Sequence, residues 1–139
     1  MRKKKPPLPR LHRKLWKLFS IHIRRGAADM FGRVKCFTCP KTGHWKDFQA
    51  GHYIPQSMSA KLVFDEHNVQ VQCGGCNKYR NGNPTVYAIE LCRKYGPMIL
   101  EELHSALEPG FKHKRADYER MIARYSEAVQ SYKELDNGN

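Results

Sequence analysis

Apolar and aromatic residues recur every three or four positions at Leu11, Leu15, Leu18, Phe19 and His22, with Trp16 and Ile23 widening the face. That period predicts an amphipathic helix over 11–25, stopped at Gly26, with Lys14, Lys17, Arg24 and Arg25 around the stripe. The period then shortens. A short strand is expected at 33–35, and Trp45 to Tyr53 reads as one extended segment. Leu62-Val63-Phe64 and Val69-Gln70-Val71 read as further short β pieces, and a helical turn is expected in the polar stretch 77–83, ended by Gly82. Three helices follow. Pro84 opens one that Gly96 closes, Pro97 opens another that Glu108-Pro109-Gly110 breaks, and the last runs over 114–135. Tyr118, Met121, Ile122, Tyr125, Val129 and Tyr132 stripe that last helix, as core packing or as a dimer seam. The chain thus divides into a basic flexible arm (1–10), a central domain (11–96) and a C-terminal helical extension (97–139).

Cysteine spacing changes the picture most. Cys36-Phe-Thr-Cys39 and Cys73-Gly-Gly-Cys76 are two Cys-x-x-Cys pairs bracketing the 33 residues 40–72. Each pair makes a tight knuckle that points two thiolates at one ion, and four sulfurs at about 2.3 Å complete a tetrahedral zinc shell. No coordination position is left for a substrate, so the zinc is structural. The bracketed insert exceeds the usual zinc-ribbon spacing and has room for a β-hairpin. Cys92, the fifth cysteine, falls on a helical pattern as a small apolar side chain.

Charge narrows the partners. Twenty-five Lys and Arg against 13 Asp and Glu give +12, which suits a polyanion. Nucleic acid is favoured over membrane because no long apolar run exists and mean hydropathy is −0.72. No secretory apolar segment follows the basic N-terminus, so a cytoplasmic location is expected, where paired cysteines bind metal rather than form disulfides. Lys14, Lys17, Arg24, Arg25, Lys46, Lys61, Lys78 and Arg80 are the candidate DNA contacts. They would give salt-sensitive binding with little sequence preference, since no base-reading helix signature stands out.

Within the insert lie Ala50-Gly51-His52-Tyr53-Ile54-Pro55 and Phe64-Asp65-Glu66-His67-Asn68, and the second knuckle runs into Asn77. A histidine ending one strand, an asparagine before the next and a third residue opening a helix resemble the HNH, or ββα-metal, endonucleases. With Tyr-x-Ile-x-Leu, Tyr95-Gly96 and the upstream Leu15-Trp16-Lys17-Leu18-Phe19, the chain resembles the NinG/Rap group of phage recombination nucleases. The resemblance implies an α+β fold: a zinc-stabilised ββα-metal core with a short β-hairpin, flanked by an N-terminal helix and C-terminal helices.

It also implies a phosphodiester hydrolase that cuts branched recombination intermediates, Holliday junctions and D-loops, in the host cytoplasm of a phage. His52 would be the general base that activates water, Asn77 a ligand of catalytic Mg²⁺ or Mn²⁺, and Asn68 a brace for His52 or its loop. Many relatives of this kind carry Asp before the histidine as a metal ligand; here the position is Gly51. Strand alternation offers Gln49 and Asp47 in its place, and Asp65 and Glu66 are further candidates. His44 and His67 lie close in sequence. Resolving a junction takes two cuts, which favours a homodimer. The competing readings are a non-catalytic zinc-ribbon DNA-binding accessory protein and a general HNH nicking nuclease on linear duplex.

Overall fold

A computed structural model describes residues 2–138. The described residues divide into two compact units, one built from the segments up to His22 and from His113 onward, the other from Ile23–Lys112. Four main helices and two separate two-stranded antiparallel sheets make the chain a mixed α+β protein.

The first unit is a pair of helices. Helix α1 spans Leu8–Gly26, three residues earlier than its apolar stripe requires. Pro9 fits there because amides in a first helical turn have no intrahelical acceptor, and the Pro7 carbonyl takes the N–H groups of Arg10 and Leu11. Residues 8–10 are therefore helical and not part of a flexible arm. Helix α4 spans Arg115–Asn137, and the Asp117 carboxylate accepts the Lys114 N–H at its start (2.8 Å). Within the unit, His12 meets Tyr118, Phe19 meets Tyr125 and His22 meets Tyr132. Partner numbers rise together, so the two helices run parallel, and the three tyrosines repeat every seven residues as in a coiled-coil seam. The stripe that sequence alone offered as a dimer contact is thus covered by α1 of the same chain.

The second unit holds the cysteines. Strand β1 (Arg33–Lys35) pairs with β2 (Thr42–His44) in the register Val34↔Gly43, and the first knuckle is the turn between them. Strand β3 (Gln49–His52) pairs with β4 (Val69–Gln72), with Gln49↔Gln72, Gly51↔Gln70 and His52↔Val69 opposite. The Phe37 N–H donates to the Val71 carbonyl (2.9 Å), tying the first knuckle to β4. Of the expected extended segment 45–53, residues 49–52 are β3 but Trp45–Asp47 is a short helical turn, and a second such turn at Lys61–Phe64 replaces the β piece expected at 62–64. In the first, His44 Nδ1 accepts the Lys46 N–H (3.2 Å) and caps the turn. In the second, Leu62, Val63 and Phe64 are all buried, an arrangement a one-sided strand cannot give.

After β4 the chain makes a wide helical turn at Gly75–Tyr79, with the Arg80 N–H on the Gly75 carbonyl (3.1 Å). Asn81, Gly82 and Asn83 all have positive φ and swing the chain into α2, Pro84–Tyr95. Helix α3 follows at Ile99–Ser105. Ile54, Leu62, Tyr87, Leu91, Ile99 and Leu103 form one core; Val34, Phe48 and Val71 with three of the cysteines form another. Cys92 is half-buried beside the former. No helix among the described residues is long and apolar enough to cross a membrane.

Phe19 is fully buried and packs edge-on against Tyr125 at 5.1 Å. Phe19→Ala is expected to lower unfolding free energy by about 3–5 kcal/mol. Urea denaturation checks this, and a loss below about 1 kcal/mol would mean α1 and α4 are held by something else.

Candidate metal centre and hydrolytic site

The four sulfurs of Cys36, Cys39, Cys73 and Cys76 all lie within 4.8 Å of one another. Such crowding suits thiolates that share a cation, since neighbouring ionised thiols otherwise repel. The local hydrogen bonds favour ionised sulfur. Cys36 accepts the Cys73 N–H (3.3 Å), and Cys73 accepts the Cys76 N–H (3.4 Å). Arg80 and Asn83 reach Cys76 Sγ at 3.9 and 4.0 Å. Burial alone would raise the Cys36 pKa, but donors from Cys73 and Thr38 outweigh it and bring the thiol down to about 7. Cys39 moves the other way, pushed up to about 12 by burial and by the neighbouring sulfurs. A Cys36 thiol ready to ionise beside a reluctant Cys39 fits metal entry with proton release. The donor set, four soft sulfurs with a supporting shell, fits zinc.

His52 sits at the end of β3, half-buried. Its Nε2 lies 3.0 Å from the Val63 carbonyl. A carbonyl only accepts, so the proton is on Nε2 and Nδ1 is the basic nitrogen of the neutral ring. Burial lowers the pKa below the ordinary imidazole value, and the Val63 carbonyl only partly offsets this. The ring is therefore neutral at pH 7.

Through the neighbouring Leu62 carbonyl, the turn that carries Val63 is itself held by Asn68. That side chain is fully buried and fully used: Oδ1 accepts the Ile54 N–H (2.8 Å), and Nδ2 donates to the Ile54 (3.0 Å) and Leu62 (3.1 Å) carbonyls. One amide thus closes the loop between β3 and β4 and presents the turn that carries the Val63 carbonyl.

Asn77 lies in the wide turn after the second knuckle. It donates Nδ2 to Gln49 Oε1 (2.6 Å), and its Oδ1 lies 2.9 Å from where a Cβ on Gly51 would stand. The structure thus brings Asn77, Gln49 and Gly51 together. Asp47 is different: it is exposed in the turn before β3, so strand alternation does not reach it. Asp65 uses its carboxylate on the His67 N–H (2.8 Å), and His67 itself is exposed against the Tyr95 ring.

Of the candidate DNA contacts, Lys14, Lys17, Lys46, Lys61, Lys78 and Arg80 are exposed. Lys61 also meets Glu108 at 3.4 Å. Arg24 is half-buried over the Trp45 ring, 5.2 Å from its centroid. Arg25 is only 8% exposed, because it continues the α1 stripe three residues after His22, so it drops out of the surface set.

Three neighbours were not singled out from sequence. Thr38, inside the first knuckle, faces Cys36 Sγ (3.6 Å). Asn83 donates to the Thr38 carbonyl (3.1 Å). Buried Tyr87 donates its hydroxyl to the Gly51 carbonyl (2.7 Å), and burial raises that phenol's pKa well above normal. The Tyr-x-Ile-x-Leu helix carried Tyr87 in plain view, but only the fold shows that its hydroxyl reaches β3.

A family model described as "Bacteriophage Lambda NinG protein" matches residues 2–137. The chain belongs to the NinG family. Among similar curated proteins, Protein ninG of Escherichia phage lambda is 30% identical over 106 residues, covering 75% of this chain and 48% of its own length. Protein ninG of Escherichia phage 933W is 33% identical over 74 residues, 52% of this chain and 35% of the relative. The Enterobacteria phage H19B protein of that name is 36% identical over 58 residues, 42% and 29% respectively. This NinG chain spans about half the length, or less, of the curated relatives it matches. No solved structure matches it.

The zinc reading has a direct check. Purified protein is expected to carry one zinc per chain by elemental analysis, and Cys73→Ser to lose it. Removal by a strong chelator should expose the 36–83 region to protease, and rebinding of zinc should release protons. A metal-free wild type with unchanged protease resistance would overturn the assignment.

Proposed function

We propose that this NinG-family chain is a metal-dependent endonuclease of the HNH type that acts on branched DNA. The single observation that carries the reading is His52: a neutral imidazole, its tautomer set by Val63, at the end of a strand inside a zinc-bracketed insert. Asn77 and Gln49 are joined side chain to side chain beside the same strand. Phosphodiester hydrolysis needs a base for water, a means of stabilising charge on the phosphate, and a fixed backbone.

His52 Nδ1 would take the proton from the attacking water, and Nε2–H, held by Val63, keeps the ring from turning away. Asn68 positions that ring through the loop rather than touching the reacting atoms. Asn77 and Gln49 supply amide oxygens of the kind that hard cations accept. A bound Mg²⁺ or Mn²⁺ would provide Lewis acidity at the phosphate. Lys46, Lys78 and Arg80 would hold the DNA backbone electrostatically, without base reading. A four-way junction as substrate, and a dimer to cut it twice, rest on the family likeness stated for the sequence.

End-labelled four-way junction and linear duplex of the same sequence, incubated in Mg²⁺ or Mn²⁺, test this with wild type and His52→Ala side by side. Preferential cutting of the junction, lost by about 10²-fold or more in His52→Ala with binding retained, is the expected result. Equal cutting of both substrates would make the enzyme a general nicking nuclease. No cutting by wild type would favour a zinc-ribbon DNA-binding protein.

The pH dependence is a second check. Because burial lowers the His52 pKa, the base is ready above that value and lost below it. Cleavage is expected to fall as pH drops through a midpoint below 6.5 and to be level from there to neutrality. A midpoint above 7 would point to another base.

Asn68→Asp keeps the acceptor for the Ile54 N–H but loses the donors to Ile54 and Leu62. It is expected to cut cleavage at least tenfold with zinc content unchanged. Unaltered kinetics would show that the brace does not govern His52.

A further inference from the structure

Strand β4 is buried at all four positions, two of them glutamines. Gln70 is satisfied: its oxygen accepts Lys94 Nζ (2.9 Å), and its nitrogen donates to the Glu66 carbonyl and the Tyr95 hydroxyl. Gln72, two residues on and fully buried, is not. Its Nε2 donates to Thr38 Oγ1 and to the Gly82 carbonyl, both at 2.9 Å. The Gly82 carbonyl can only accept, so the amide cannot be turned round. That fixes Oε1 on the other side, where it has no hydrogen-bond partner among the described residues. Buried acceptors are rarely left this way without a reason.

The orphaned oxygen points at Gly51. A Cβ built on Gly51 would stand 1.8 Å from Gln72 Oε1 and 2.9 Å from Asn77 Oδ1. Gln72 Oε1 therefore sits where a side chain at position 51 would begin, with Asn77 Oδ1 close by, and only glycine at 51 admits this pairing. Asn77 keeps its oxygen turned there because its nitrogen is spent on Gln49. Two acceptors brought this close need something between them with positive charge or with protons to give. Neutral oxygens are donors for a hard cation and poor ones for zinc.

We infer that Gln72 Oε1, packed against the bare Cα of Gly51, together with Asn77 Oδ1 forms the cradle for a hard divalent cation, Mg²⁺ or Mn²⁺. The inference rests on the hydrolytic reading of the site and supplies it with a ligand from the opposite strand. The cradle is tied to the cysteine knuckle: the Thr38 hydroxyl that accepts from Gln72 also faces Cys36 Sγ at 3.6 Å. Loading of the structural metal would thus hold Gln72 in place. Two neutral ligands make a weak site, and because Oε1 is closed to solvent, water and phosphate oxygens would complete the shell from the side of the half-buried Asn77.

The test uses zinc-loaded full-length protein. Substoichiometric Mn²⁺ added to ¹⁵N-labelled wild type is expected to broaden the side-chain amide signals of Gln72 and Asn77 most, ahead of surface Gln56 and Gln130. In an electron paramagnetic resonance titration, Gln72→Met, which removes the oxygen at similar volume, should weaken Mn²⁺ binding about tenfold or more. Gly51→Ala, whose Cβ would push the Gln72 oxygen from its place, should do the same. Zinc content and circular dichroism certify folding.

Broadening centred elsewhere in wild type, or Mn²⁺ affinity unchanged in either folded variant, overturns the inference and leaves a buried water as the partner of Oε1. The two readings fail separately. Mn²⁺ held at Gln72 with no DNA cut by wild type would sink the nuclease and keep the cradle. DNA cut by a Gln72→Met protein with undiminished Mn²⁺ affinity would sink the cradle and keep the nuclease.

Discussion

The convergence of four thiols on one point constrains nearly everything else in the 23–112 unit. β1 and β2 are three residues each and β3 and β4 four, and hairpins that short are marginal in water by themselves. What holds them is that both hairpins end at the same cluster: the first knuckle is the turn of one, and the second follows the last strand of the other. A metal bound there contributes folding free energy directly, because the site does not exist in the unfolded chain. Val34, Phe48 and Val71 then pack against the cysteines instead of making a core large enough to stand alone.

The same constraint explains the irregular backbone after β4. Cys76 must keep its sulfur on the cluster while the chain turns to start α2, so the turn widens. The left-handed residues Asn81, Gly82 and Asn83 complete the change of direction. That irregularity has a use. It leaves the Gly82 carbonyl facing Gln72 and the Asn83 amide on the Thr38 carbonyl, which ties the second knuckle to the first.

How much of this was legible in the sequence depends on whether a feature is local. Cys-x-x-Cys fixes two sulfurs within one turn, so the cluster could be read from spacing. Gly96 stops α2 by its positive φ and was readable, as was the end of α1 at Gly26. The lone Asn68 could be read as a brace, though not that its amide makes three bonds. Leu62-Val63-Phe64 could not be read correctly, because an all-apolar run has no period to separate strand from helical turn. The α4 stripe announced a partner but not which one, and α1 lies about a hundred residues away in the chain. Gln72 was not singled out, since a polar residue alternating with apolar ones in a strand ordinarily faces solvent. In fact both faces of β4 are covered, so its polar positions are buried.

Gly51 is where these strands of argument meet. Read as a sequence, it marks a lost carboxylate and therefore a weakened or dead site. In the structure, the missing side chain is replaced by an oxygen arriving from β4, and the two arrangements exclude each other because a Cβ would stand 1.8 Å from that oxygen. An Asp at 51 would require Gln72 to leave, and Gln72 cannot leave without breaking its bonds to Thr38 and Gly82. Positions 51 and 72 are therefore coupled. A carboxylate restored at 51 alone would not recover a metal ligand, whereas one restored together with a small residue at 72 would have the space to do so. With Gln72 as the cation ligand inferred above, glycine at 51 is what lets that ligand come from the neighbouring strand, and its presence alone does not mark a decayed site.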